Sequence, residues 1–138
     1  MKKRWLVPFT TLVCGIAIGL GLHVAIGQQT APTQPKGMKV IKTSALDLGP
    51  QIEAMQGWRM GARAIQMEPG GHFVMHSHRD RPGMGYLIQG VLTEQGVGGT
   101  TEHRVGDIMV ENKETTHWIQ NNGTEPVLFL AIDITKAP

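Results

Sequence analysis

From Met38 onward the chain breaks into short apolar, β-branched runs separated at close intervals by Gly, Pro and Asn. Such short runs, punctuated by turn residues, are the pattern of strands in a sandwich or barrel. It predicts strands over 38–43, 59–67, 73–78, 86–94, 100–105, 108–110, 116–121 and 127–134. Asn121-Asn122-Gly123 marks a tight turn before the last of them. No ten-residue stretch of this region carries a helical period, and 46–55 has room for one short helical turn at most. The expected class is all-β.

The front of the chain follows a different pattern. Lys2, Lys3 and Arg4 precede an apolar run over 5–26, and Ala25-Ile26-Gly27 brings small residues just ahead of Gln28. This is the anatomy of a secretory signal peptide over 1–27, with cleavage after Gly27. The run is also about long enough to span a bilayer, so an uncleaved membrane anchor is the alternative. Either way the domain is expected outside the cytoplasm, periplasmic or secreted, with membrane attachment only if the leader is kept. Residues 28–37 (QQTAPTQPKG) are polar and proline-rich, a linker. Residues 38–138 then form one domain.

Removing the leader changes the composition that matters. Cys14 is the only cysteine and reads as an ordinary apolar residue of the leader. The mature domain therefore has neither disulfides nor thiolate chemistry. Of thirteen Lys and Arg, three leave with the leader, so ten bases face eleven acids. The near-neutral balance gives no reason to expect nucleic-acid binding.

The chemistry concentrates between Pro69 and Gly90, in PGGHFVMHSHRDRPGMGYLIQG. His76 and His78 lie two apart in an extended run, so both imidazoles leave one face of a strand. His117 lies downstream in a second strand-like run. Three neutral imidazoles suit Zn, Cu, Fe and Ni.

The spacing of glycines around these histidines resembles the two motifs of the cupin superfamily, in its small, single-domain, type-2 form. Gly70, His76, His78 and Gly90 match the first motif; Gly106, His117 and Asn121 match the second, and 91–105 form the short connection. The resemblance covers roughly 38–134. It implies a double-stranded β-helix, a jelly-roll-like barrel holding its metal at one end of a pocket, and a homodimer. The implied cofactor is one divalent transition metal (Fe, Mn, Zn, Ni or Cu) on His76, His78 and His117. The implied function is a dioxygenase-like enzyme acting on a small organic substrate; the alternative is a non-catalytic module for a small ligand or metal. A barrel whose three histidines merely hydrogen-bond is a further alternative.

Three positions depart from the motifs. Asn112 and Glu114 replace a proline and a glycine that shape a turn. More consequentially, Gly83 stands where the family's metal-binding Glu is expected. The reading is an open side of the metal, left to water or substrate. Glu94, Glu102, Glu111 and Glu114 read as a solvated face or turn, with replacement of the carboxylate as the alternative. Met84 reads as gap-filling core, with a thioether contact to copper as its alternative. None occupies the family position. Pro82-Gly83 suits the centre of a type II turn. Arg79 and Arg81 read first as an exposed charged loop paired with Asp80, and in the alternative as partners of a carboxylate-bearing ligand at the pocket mouth. His72 and His103 read as peripheral, Tyr86 as packing, and Trp118 as packed on the face opposite His117. No residue is assigned a catalytic or substrate-binding role from the sequence alone.

Overall fold

A computed structural model describes residues 30–137; the proposed leader and cleavage site lie outside them. Eight strands follow in order: β1 (Lys36–Asp47), β2 (Trp58–Ser77), β3 (Gly83–Gln89), β4 (Val91–Gly96), β5 (Gly99–Arg104), β6 (Ile108–Glu111), β7 (Thr116–Gln120) and β8 (Val127–Lys136). The helical turn expected near 46–55 is a single 3₁₀ turn, Glu53–Met55. Every pairing is antiparallel, in the order β5-β4-β7-β2-β8-β3-β6, with β1 also on β2. The sheet curls into a nearly closed barrel. The edge strands β5 and β6 are joined by the turn at Gly106–Asp107, which bonds to Leu87 of β3 through Gly106 N–H to Leu87 O at 3.0 Å and Leu87 N–H to Asp107 O at 3.1 Å. Among the described residues no helix is long and apolar enough to cross a membrane.

Two strand expectations change. The segments read as 59–67 and 73–78 are one strand, β2, because Pro69-Gly70-Gly71 bends the chain without ending it. Gly70 takes φ +72°, and the backbone stays paired there through Gly70 N–H to Asn121 O and Asn121 N–H to Gly71 O, both 2.9 Å. Conversely, the expected strand 86–94 breaks at Gly90. Its φ of +82° favours glycine, and a Cβ there would lie 2.9 Å from Pro126 O.

The period of two sorts the faces. Ile65 and Met67 of β2, Leu87 of β3, Leu92 of β4, Met109 of β6, Ile119 of β7 and Val127, Phe129 and Ala131 of β8 form one buried cluster. Apart from Ala131, each such side chain taken fully out of water contributes roughly 1.5–3 kcal/mol, which is how a domain without disulfides holds together. Two residues farther along the same faces come Glu94, Glu111 and Asp133. The inner surface therefore changes from apolar to polar toward one end, and the site lies there. Trp118, on the opposite face from His117, is buried as expected, whereas Tyr86 is 45% exposed on the outer surface.

Candidate metal centre

A β-bulge aims the first histidine. On β2 Phe73 pairs with Ile119 and His76 with His117, so three steps on β2 match two on β7. Simple alternation from Phe73 would send His76 to the outer face. The extra residue turns it inward, a common use of a bulge beside a functional site. Phe73 and His76 then meet edge to face at 5.0 Å. His78 follows on the same face, and β7 brings in His117. Both are buried, at 2% and 1% exposure.

The outer ring nitrogens decide the protonation pattern. His76 Nδ1 lies 2.9 Å from Val74 O, His78 Nδ1 3.1 Å from Arg81 O, and His117 Nδ1 2.6 Å from a Glu94 oxygen. Carbonyls and carboxylates only accept, so each neutral ring carries its proton on Nδ1 and leaves Nε2 with a bare lone pair. The three Nε2 atoms converge, with separations of 3.0, 3.0 and 3.2 Å. These are hydrogen-bonding distances, but no proton is left to share.

Protonation is a poor remedy. Burial, opposed in part by the Val74 carbonyl and reinforced by His117 and His78, lowers His76 to about 4. Burial likewise lowers His78. A metal ion meets the need of three lone pairs held at one point. The size also fits: metal–imidazole bonds of about 2.1 Å set nitrogens about 3.0 Å apart at right angles and about 3.4 Å apart in a tetrahedron. The three histidines are thus positioned to bind a metal ion, and their spacing is closer to one face of an octahedron.

Glu94 anchors the site from outside. One oxygen accepts from His117 Nδ1 and the other lies 2.6 Å from His103 Nε2. The bond from His117 first, with His103 adding to it against a desolvation cost, holds its carboxyl down at about 2. Glu94 is therefore an anion that fixes the ring of His117, a role the sequence reading had not given it. Leu92 two residues earlier faces inward, and that alternation was the available signal.

Glu111 is the other carboxylate brought to the histidines. Its Oε2 lies 3.3 Å from His78 Nδ1 and its Oε1 3.9 Å from His117 Nε2. Burial raises its pKa, against the pull of His117 and Arg81. Asp133 completes the polar end, paired with Arg63 and, at 3.4 Å, with Arg81.

The remaining candidates lie elsewhere. Glu102 pairs with Arg104 and Glu114 with Lys113, all exposed. Met84 is 55% exposed on the outer face. His72 joins Trp118, Gln120, Thr30 and Pro32 around a hollow of about 340 Å³ on the other side of the sheet. Asn112 does the work of the motif's turn residues, its Oδ1 accepting from Glu114 N–H at 2.9 Å. The turn after His78 is closed by Arg81 N–H to His78 O at 3.0 Å. Gly83 is the first residue of β3, so Pro82-Gly83 is not the turn centre that the sequence predicted.

Comparisons with known proteins agree with this architecture. No curated protein matches the chain. Among solved structures, a conserved protein with a double-stranded β-helix domain from Klebsiella pneumoniae is 24% identical, with TM-score 0.50, over 56% of this chain and 70% of that one. A sugar phosphate isomerase of the cupin superfamily from Silicibacter pomeroyi is 20% identical, with TM-score 0.51, over 70% and 60%. A Lactobacillus farciminis oxalate decarboxylase in complex with formate is 25% identical, with TM-score 0.52, over 76% of this chain but only 31% of its own. The model of the cupin domain family matches residues 64–133, which contain all three histidines and the bulge that aims them, and the chain belongs to that family.

Proposed function

We propose that the protein is an exported, metal-dependent enzyme of dioxygenase-like type that acts on a small organic anion. The observation that carries this reading is the convergence of three Nε2 lone pairs with every Nδ1 already committed. That arrangement is built for a divalent transition metal. The near-octahedral spacing favours Fe, Mn or Ni over tetrahedral Zn. When bound, the metal supplies Lewis acidity and, for a redox-active ion, exchange of electrons with dioxygen or substrate.

The chain's own groups do the rest. Val74 O, Arg81 O and Glu94 hold the imidazoles in one orientation. The apolar cluster below the histidines keeps water out of the barrel. Arg81, a third exposed beside Asp133, offers a planar guanidinium at the rim that suits a carboxylate. The oxalate decarboxylase similar to this chain is described with formate, and a small carboxylate is the ligand class that Arg81 favours.

The test is metal analysis of protein purified from its own compartment, followed by oxygen uptake with small organic acids, phenols and diketones. One metal per chain and metal-dependent uptake are expected. Stoichiometric metal with no turnover of any acid, phenol or diketone would instead make this a ligand- or metal-binding module. Absence of metal would remove the reading altogether.

The basic, apolar leader supports export. The outer face of the sheet supports a homodimer, because Met60, Met84, Tyr86, Ile108, Val110 and Ile132 are all more than a third exposed there and make an apolar surface of the kind that marks an interface. The native protein should begin at or near Gln28 by mass spectrometry and sediment as two chains; an intact Met1 or a monomer would contradict the respective statement.

A further inference from the structure

Strand β4 carries its carboxylate between two histidines. On one side Glu94 pairs with Ile119 of β7 and Gly96 with His117; on the other Glu94 pairs with Thr101 of β5 and Leu92 with His103. Directly paired residues share a face, and the diagonal neighbour two positions along lies within reach of a long side chain. Leu92 and Ile119 belong to the buried apolar cluster, so His103, Glu94 and His117 all stand on the inner face. His117 occupies one diagonal of Glu94 and His103 the other.

Both oxygens of Glu94 are thereby committed. One lies 2.6 Å from His117 Nδ1 and the other 2.6 Å from His103 Nε2. An ionised carboxylate only accepts, so both nitrogens donate. His103 therefore carries a proton on Nε2, the ring position that the three converging histidines leave bare. Distances this short mark charge-assisted bonds, roughly twice as strong as neutral ones. The side chains of His117, Glu94 and His103 are 2%, 21% and 12% exposed, so water competes little for these groups. A carboxylate held at one oxygen can still turn about its terminal bond and loosen the ring it orients. Held at both, it cannot. The bond from His103 also draws on the Glu94 charge, which sets how strongly Glu94 pulls on the His117 Nδ1 proton and how basic His117 Nε2 becomes.

We propose that His103 is a positioning residue of the metal centre: it fixes Glu94, and through Glu94 the orientation and basicity of His117. This rests on the metal-binding reading above. The centre then reaches from β7 through β4 to β5, beyond the residues of the two motifs.

The experiment uses the native protein, labelled with ¹⁵N-histidine, stripped of metal and reloaded with Zn(II), a diamagnetic ion that accepts imidazole ligands. Imidazole spectra should place the His103 proton on Nε2 and the His117 proton on Nδ1. Both should lie far downfield, and both should lose that shift in Glu94→Ala. In chelator competition His103→Leu should bind Zn(II) about tenfold more weakly, and His103→Gln, whose amide can still donate to Glu94, should recover most of the loss. In the Glu94→Ala background His103→Leu should cost nothing further, because residues acting through one hydrogen-bonded chain do not add. Glu102→Gln, exposed on the opposite face, should match the wild type. A His103 proton found on Nδ1 alone would overturn the assignment and leave the three-histidine centre standing. So would wild-type affinity in a folded His103→Leu, or an equal loss from it with and without Glu94. If that variant fails to fold, the wild-type proton positions still decide. A wild type that takes up neither Zn(II) nor Fe(II) nor Ni(II) removes the metal centre, and this assignment with it.

Discussion

Replacing His76 and His117 together by alanine should abolish metal binding, leaving less than one part in ten of the wild-type occupancy under conditions that saturate the native protein. Two of three converging lone pairs are then gone, and His78 offers only an isolated nitrogen. The fold should survive, because the histidines occupy the polar end of the barrel and not the apolar cluster. Circular dichroism and metal analysis of the same sample separate the two effects; full occupancy in a folded double variant would eliminate the three-histidine centre.

The same side chains set the pH range. Ordinary imidazoles would lose metal to protons below about pH 6.5. Burial lowers His76 to about 4 and lowers His78 in the same direction, so protons compete with metal at these two rings at lower pH than at ordinary imidazoles, and at His76 only as the pH approaches 4. Linkage gives the metal-free protein the same sign. Between about 6.5 and 4 the unfolded chain binds a proton at position 76 that the folded chain refuses, so stability drops on acidification across that window.

The strands and the histidines were legible because both follow local rules. A short apolar run between turn residues needs only four or five residues, and the glycine-histidine spacings are local. What failed to show was register. Whether 59–67 and 73–78 are one strand depends on how Asn121 meets Gly70 and Gly71, a contact across fifty residues of chain. The inward turn of His76 depends on a bulge set by β7. Glu94 and Glu111 each lie two residues beyond a buried Leu92 or Met109, so alternation alone would have turned them inward. Only the pairing of β6 with β3, however, shows that Glu111 stands opposite the glycine that lacks a carboxylate. Charged residues at strand ends usually face water, which is why both read as solvated in the sequence.

Gly83→Glu is expected to weaken the protein and its metal site, the reverse of what motif comparison implies. Seen in sequence, the substitution restores a family ligand to a vacant position. In the fold the position is not vacant. A Cβ at residue 83 would come within 2.5 Å of Ile132 O and 3.2 Å of Asp133 Cα, both backbone atoms of β8, which cannot rotate away. Making room means moving β3 off β8 at the ladder positions Gly83–Asp133 and Met84–Ile132. That movement also disturbs Glu111, which pairs with Gly83 from the other side. Gly85, two residues along the same face, is the control. There a new Cβ meets the terminal methyl of Met109, a flexible side chain that can swing aside. Gly83→Ala should therefore cost about 1–3 kcal/mol, the range for overpacking a close-packed interior, whereas Gly85→Ala should cost about 1 kcal/mol or less. Gly83→Glu should cost at least as much as Gly83→Ala and bind metal more weakly than the wild type. Denaturant midpoints at constant slope and a metal titration of each variant measure both quantities. A Gly83→Glu protein as stable as the wild type, with tighter metal binding, would show that β3 and β8 leave room for the family carboxylate after all.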